Sequence, residues 1–219
     1  MKNPTVRQKE DPIRDFEYRL GERIKLFRPI EVLTASFGEV ISNRRSVRKF
    51  QTISLQQLSE VLWYTAKVKS FQMHESGYLL THRGAPSAGA RHPVDVIVFN
   101  PEIFKNEDFY YYNPFDHSLN QIVNVDKDIQ PFLVHINKIV AIGPGTLLWF
   151  VAHSRRNASK YENSESLIWR DAGALINSIQ LTSAALNLRS CPIGSLGEPY
   201  ISEFFADPDV FGSGGLIIG

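Results

Sequence analysis

The chain has 219 residues, 43% hydrophobic and 21% charged, which suits a globular protein with one sizeable core or two small ones. Its 24 Lys and Arg nearly balance its 23 Asp and Glu, so no basic field is present to attract nucleic acid or an acidic membrane. Cys191 is the single cysteine, which excludes an intrachain disulfide and a Cys-based zinc site and points to a reducing, cytoplasmic compartment.

Residues 1–10 are polar and read as a loose arm, with no apolar region to make a signal peptide. Asp11-Pro12 looks like a helix start. Ile13, Phe16, Leu20, Ile24 and Phe27 then recur every three or four residues, predicting an amphipathic helix that ends near Pro29. Its apolar stripe would cover the core or a partner subunit. Residues 1–43 are thus expected to be an N-terminal arm and helix, and 44–219 the main domain. Residues 30–42 carry no clear pattern. Next comes Arg44-Arg45-Ser46-Val47-Arg48-Lys49-Phe50, a dense group of cations with a hydroxyl among them. Such a run is usually a solvated face, but Arg forks beside a hydroxyl also suit phosphate.

Ser54 and Gln57 form a capping box, and Leu55, Leu58, Val61 and Leu62 give the following helix its buried face. Residues 67–85 read as a polar loop. Pro86-Ser87-Ala88-Gly89-Ala90-Arg91-His92-Pro93 is built of small residues that let a backbone approach a flat ligand, although an ordinary loop has the same composition. Val94 to Phe99 and Phe109 to Tyr112 are predicted strands of an antiparallel hairpin, with a charged turn over 102–108. A short helix is expected within 118–136, a stretch that includes Asp126-Lys127-Asp128. Residues 138–143 continue it or form a short strand. Pro144-Gly145 marks a turn, and 146–152 a central strand.

Residues 153–166 are polar and contain Lys160-Tyr161. Leu167 to Leu188 is the longest helical signal. It is apolar on nearly every side, as expected for the core of a large domain or the seam of an oligomer. A turn at Cys191 to Gly197, a Gly-rich turn at 212–215 and a last strand over 216–218 close the chain. The fold class is α+β, with antiparallel strands among helices around one long buried helix. No stretch has the length of a membrane helix, no His pair has metal-binding helical spacing, and no G-x-S-x-G elbow is present.

Three stretches stand in a telling order: Arg-Arg-Ser-Val-Arg before the first strong helix, Pro-Ser-Ala-Gly-x-x-x-Pro before the first strand, and Cys-Pro-Ile-Gly after the long apolar helix. Together they resemble the nitroreductase-like flavoprotein family. The Tyr110-x-Tyr112-Asn113-Pro114-Phe115-Asp116-His117 segment, and Lys160-Tyr161 followed by Asp171-Ala172-Gly173-Ala174, are similar to its SagB-type branch, which includes azoline dehydrogenases. The resemblance implies a nitroreductase-like fold with an antiparallel or mixed sheet, and an FMN-binding homodimer with its pockets at the subunit interface. Arg44, Arg45, Ser46 and Arg48 would hold the phosphate, the ribityl chain and the pyrimidine side of the ring. Pro86, Ser87, Ala88, Gly89 and Ala90 would reach the flavin from the other subunit. Ile193, Gly194 and Ser195 would lie near N5, and Lys160 with Tyr161 would be catalytic. The implied activity is FMN-dependent dehydrogenation of azoline rings in a peptide-derived product. NAD(P)H-dependent reduction of small molecules, or a non-catalytic docking role, are the alternatives. The sequence departs from the family pattern twice. Nothing basic follows Gly219, where many relatives carry a phosphate-gripping tail, and Ala90 stands where many carry Asn or Gly.

Overall fold

A computed structural model describes residues 2–123 and 127–219. In chain order the elements are β1 (Thr5–Val6), β2 (Leu20–Lys25), α1 (Phe37–Asn43), α2 (Leu55–Thr65), β3 (Ser70–Met73), β4 (Leu79–His82), β5 (Val94–Phe99), α3 (Pro101–Phe104) and β6 (Tyr110–Asn113). They continue with β7 (Ser118–Ile122), α4 (Gln130–Ile139), β8 (Thr146–His153), α5 (Ser154–Ala158), β9 (Tyr161–Glu162), α6 (Glu165–Ala185), β10 (Ser190–Ile193), α7 (Tyr200–Phe205) and β11 (Val210–Ile218). Seven strands form one sheet in the order β10-β11-β8-β5-β6-β7-β2, and every pairing in it is antiparallel.

Alternation along the central strands builds a core on each side of this sheet. Val94, Val96 and Val98 of β5, with Leu148, Phe150 and Ala152 of β8, face Leu58, Val61 and Leu62 of α2 and Ile168, Leu175 and Ile179 of α6. Ile97 and Phe99, with Leu147, Trp149 and Val151, face Phe132, Leu133 and Ile136 of α4 and Ile201 of α7. The capping box of Ser54 and Gln57 starts α2 as the sequence indicates. A second box, Ser36 with Glu39, starts α1 in the stretch that carried no clear pattern.

Several expectations are corrected. The amphipathic helix over 11–29 does not form. Leu20–Lys25 is instead the edge strand β2, paired with β7. Leu20 and Ile24 are partners of Ile122 and Leu119, so cross-strand pairing prevails over a helical spacing that five residues met by coincidence. The arm is not loose, because Thr5 and Val6 pair with Glu162 and Tyr161 of β9. Residues 67–85 contain the β3–β4 hairpin. The expected turn over 102–108 begins as the short helix α3, which Asn100 caps. Of the stretch 118–136, Ser118–Ile122 is strand β7 and the expected helix begins at Gln130 as α4, while Asp126 lies outside the described residues. The Gly-rich stretch 212–215 lies within β11, which shifts register between Gly212 and Gly215. A Cβ at Gly215 would sit 2.5 Å from the Trp149 ring, so the glycine serves close packing there.

Helix α6 buries Leu167, Ile168, Ala172, Leu175 and Ile179 against the sheet side. Its opposite face leaves Arg170, Gly173 and Asn177 exposed. No helix among the described residues is long and apolar enough to cross a membrane.

Candidate functional site

The stretch from Arg44 to Phe50 leaves α1 and runs beside β10. Ser46 bridges to Ser190 in parallel, and the Val47 N–H donates to the Ser190 carbonyl at 2.9 Å. Arg189 Nη1 donates to the Lys49 carbonyl at 2.9 Å. Arg45 turns back onto the carbonyls of Ser42 and Arg44. The guanidinium groups of Arg44 and Arg48 meet no carboxylate or other acceptor among the described residues, and Arg48 is exposed. At its far end β10 delivers Ile193, Gly194 and Ser195. Ile193 is buried, and a Cβ at Gly194 would meet nothing within 4 Å, so the backbone there is open to a ligand. Ser195 Oγ lies 3.0 Å from His135 Nε2 and accepts from the Gly197 N–H at 3.1 Å.

The small-residue loop is held elsewhere. Asp171, in α6, accepts from Ser87 Oγ at 2.6 Å and from the Ala88 N–H at 3.1 Å. Ser87 Oγ in turn accepts from the His92 N–H at 2.8 Å. Burial pushes the Asp171 carboxyl up, and its bonds to Ser87 and Ala88 oppose this. The loop turns through left-handed backbone at Gly89, Ala90 and His92, with φ of 61°, 54° and 44°. Gly89 is required for more than its angle. A Cβ there would lie 2.6 Å from Tyr161 Oη and 3.3 Å from Lys160 Nζ, so the loop packs directly on the Lys-Tyr pair. Lys160 Nζ also sits 5.7 Å from the centre of the Tyr161 ring.

The N-terminal segment fixes that pair from outside. Arg7 N–H donates to the Lys160 carbonyl, Arg7 Nε to the Ala158 carbonyl, and the Asp11 N–H to the Ser159 carbonyl. Beneath α5 is a buried polar network. Arg156 forms two bonds to Asp95, at 2.7 and 3.0 Å, and pairs with Asp15. Tyr18 Oη and His153 Nε2 complete it, 3.1 and 2.9 Å from Asp95 Oδ2. Burial opposes the Asp95 charge, but Arg156 and His153 hold its carboxyl far below the usual range.

The predicted residues therefore form two groups. One joins Arg44, Arg45, Ser46 and Arg48 to Ile193, Gly194 and Ser195 through β10. The other joins Pro86 to Ala90 with Lys160, Tyr161 and Asp171. Among the described residues no hydrogen bond or ion pair joins the two groups, and their ends at Ser46 and Ser87 lie far apart. Ser46 docks just past the C-terminal end of α6 and the small-residue loop docks on Asp171 near its start. At 1.5 Å per residue that separation is about 20 Å along the helix. Sequence reasoning quoted Asp171 only as part of a motif. It missed the Asp95–Arg156–His153–Tyr18 network, whose one legible sign was a charged Asp95 inside an apolar strand.

This arrangement can be placed among known proteins. The model of the nitroreductase family matches residues 41–216. The chain belongs to the nitroreductase family. Among solved structures it is similar to a putative nitroreductase from Ralstonia eutropha, at 24% identity and a TM-score of 0.67, covering 96% of this chain and 97% of that one. It is similar to a chain of the Escherichia coli microcin synthetase McbBCD complex with truncated pro-MccB17 bound, at 15% identity and a TM-score of 0.58, covering 89% and 76%. It also resembles a putative nitroreductase from Desulfovibrio desulfuricans solved in complex with FMN, at 14% identity and a TM-score of 0.53, covering 82% and 83%. At these identities the three likenesses speak for the fold. No curated protein sequence matches the chain.

Proposed function

We propose that this nitroreductase-family protein is an FMN-dependent oxidoreductase of the SagB type, which dehydrogenates azoline rings of a peptide-derived substrate as a homodimer. The observation that carries this reading is the packing of Gly89 on Lys160 and Tyr161, which sets the motif expected along the flavin against the motif expected to act as base. The residues also fit the cofactor. Arg44 and Arg48 offer guanidinium groups with no partner among the described residues, suited to a phosphate, and Gly194 leaves room for a ring.

Bound FMN supplies the two-electron chemistry. Lys160 and Tyr161 take up the proton that leaves the substrate carbon. Asp171 holds Ser87 and Ala88, so the loop presents backbone rather than bulky side chains to the ring.

In the proposed homodimer the second group comes from another copy and completes the site held by Arg44, Ser46 and Arg48. Support for such a seam comes from exposed apolar residues. Phe37 and Ile41 of α1 are 74% and 50% exposed, and α1 packs beside α6, whose open face carries Gly173 and Asn177. The peptide-derived substrate follows the SagB-type motifs at Tyr110 to His117 and Lys160-Tyr161, and the microcin synthetase chain of like fold was solved with a truncated peptide precursor bound.

The test begins with the purified protein. It should be yellow, release FMN on denaturation and elute as a dimer. Failure to take up added FMN would sink the reading. In the yellow protein, Tyr161→Phe and Lys160→Met should lower azoline oxidation about 100-fold or more while FMN stays bound. Unchanged turnover would reject their role. Arg44→Ala with Arg48→Ala should release FMN, and full retention of flavin would contradict the phosphate assignment.

A further inference from the structure

A cleft of about 460 Å³ lies between residues 11–15 and the β3–β4 hairpin, outside the two groups described above. Its wall concentrates charge, and most of the charged groups have an ion-pair partner. Asp15 and Asp95 pair with Arg156. Asp11 pairs with Arg7 at 3.5 Å, and Arg91 Nη2 lies 2.5 Å from Glu10 while its guanidinium stacks over Tyr78.

Arg83 is the exception. Its Nε donates to Thr81 Oγ1 at 3.3 Å, a neutral and long bond, and its two terminal nitrogens meet no acceptor among the described residues. The side chain is only partly exposed, and burial pushes its guanidinium down from the ordinary value, with Asp95 and Arg156 acting in opposite directions. Holding a guanidinium there without a counter-ion is unfavourable unless something else supplies the charge. Tyr111 lines the same cleft, and its hydroxyl has no hydrogen-bond partner among the described residues. The Arg83 fork and the Tyr111 hydroxyl thus remain unused in one cleft, beside the buried Arg91, whose Nε and Nη1 also make no hydrogen bond among the described residues. Pro12, Ile13, Leu79, Pro114 and Phe115 supply the apolar part of the wall, beside Ser76, Tyr78 and Thr81.

We infer that Arg83 and Tyr111 form a recognition site for a carboxylate carried on an apolar body. A planar carboxylate matches the guanidinium fork. A single positive charge suits a monoanion. A phosphate dianion would bring a second negative charge toward Asp15 and Asp95, whose cation Arg156 they already share. Arg83 also borders a groove lined by Ser87, Ala90 and His92, so a molecule anchored here would extend toward the small-residue loop. The inference needs no flavin and stands apart from the reading above.

The carboxylate could belong to a small acid or to a peptide, so calorimetric titration uses both. One arm compares 4-phenylbutyrate with its amide, and the other compares acetyl-Ala-Ala-Phe with a free C-terminus against its C-terminal amide. In at least one arm the acid should bind about 10-fold or more tighter than its amide, and the arm that does so identifies the source. Arg83→Gln should abolish that preference. Because its terminal nitrogens hold no partner among the described residues, the variant should melt no lower than the parent. Tyr111→Phe, which keeps the ring stacked on Tyr18, should weaken the acid several-fold and serves if Arg83→Gln does not fold. Equal binding of acid and amide in both arms, or a preference that survives both substitutions, would overturn the assignment.

Discussion

Asp95→Asn tests the energetic centre of the structure. The substitution keeps the shape of the side chain and removes its charge from a position 4% exposed. Arg156 then keeps only Asp15 as counter-ion, a residue whose side chain is 47% exposed, and the new amide N–H group has donors on every side of it. Removing one member of a buried pair costs about 3–5 kcal/mol, because the other charge is left without compensation. Against a total stability of about 5–15 kcal/mol this is a large fraction. For a chain of this length it corresponds to a fall in Tm of about 6–20 °C. The pH dependence carries a second signature. The Asp95 carboxyl is held below its ordinary value in the folded state, so its stabilisation is complete above that ordinary value and is lost as pH falls below it. The gap between parent and variant should therefore be full at pH 7 and narrow below about pH 4. Urea unfolding at several pH values measures both. A loss under about 1 kcal/mol at pH 7, or a gap independent of pH, would refute the argument.

Asp171→Ala should free the small-residue loop, since Ser87 Oγ and the Ala88 N–H lose their acceptor at about 1–3 kcal/mol each. Hydrogen exchange over residues 86–92 should quicken with α6 unchanged, and unaltered protection would count against Asp171 as the anchor. Gly89→Ala adds a Cβ 2.6 Å from Tyr161 Oη in left-handed backbone, at a cost of about 1–2 kcal/mol from the backbone alone. Tyr161 should be displaced, and a crystal structure with its ring unmoved would contradict the packing. His117 is bonded to Ser59, Tyr112 and the Phe27 carbonyl, and burial lowers its pKa to about 4. A lowered pKa means stability that is lost as pH falls through the unfolded value of 6.5, so His117→Gln should flatten the stability curve between about pH 6.5 and 4. An unchanged slope there would show that the ring is solvated.

The sequence by itself determined the parts whose signal is local. The strand at Val94–Phe99, the capped helix after Ser54 and the long helix ending near Ala185 all follow from alternation, helical periodicity and capping, which depend only on near neighbours. The ordered motifs around Arg44, Pro86 and Cys191 indicated the family for the same reason, because each is a short run of residue types. The Ser36–Glu39 box was equally legible and simply unread. Tertiary structure alone decided the rest. Residues 20–25 match a helical spacing and yet form an edge strand, because β7 offers cross-strand partners that no local pattern announces. The arm at Thr5 finds β9 more than 150 residues away, and through it holds Lys160 and Tyr161 in place. Whether a charged residue is matched also depends on the folded neighbourhood. Asp95 is a charged intrusion in an apolar strand until Arg156 and His153 close around it, and Arg83, inside a stretch that reads only as a polar loop, is left with Thr81 as its one hydrogen-bond partner among the described residues. Charge matching is a property of distances across the fold, and distances across the fold are what a sequence pattern does not carry.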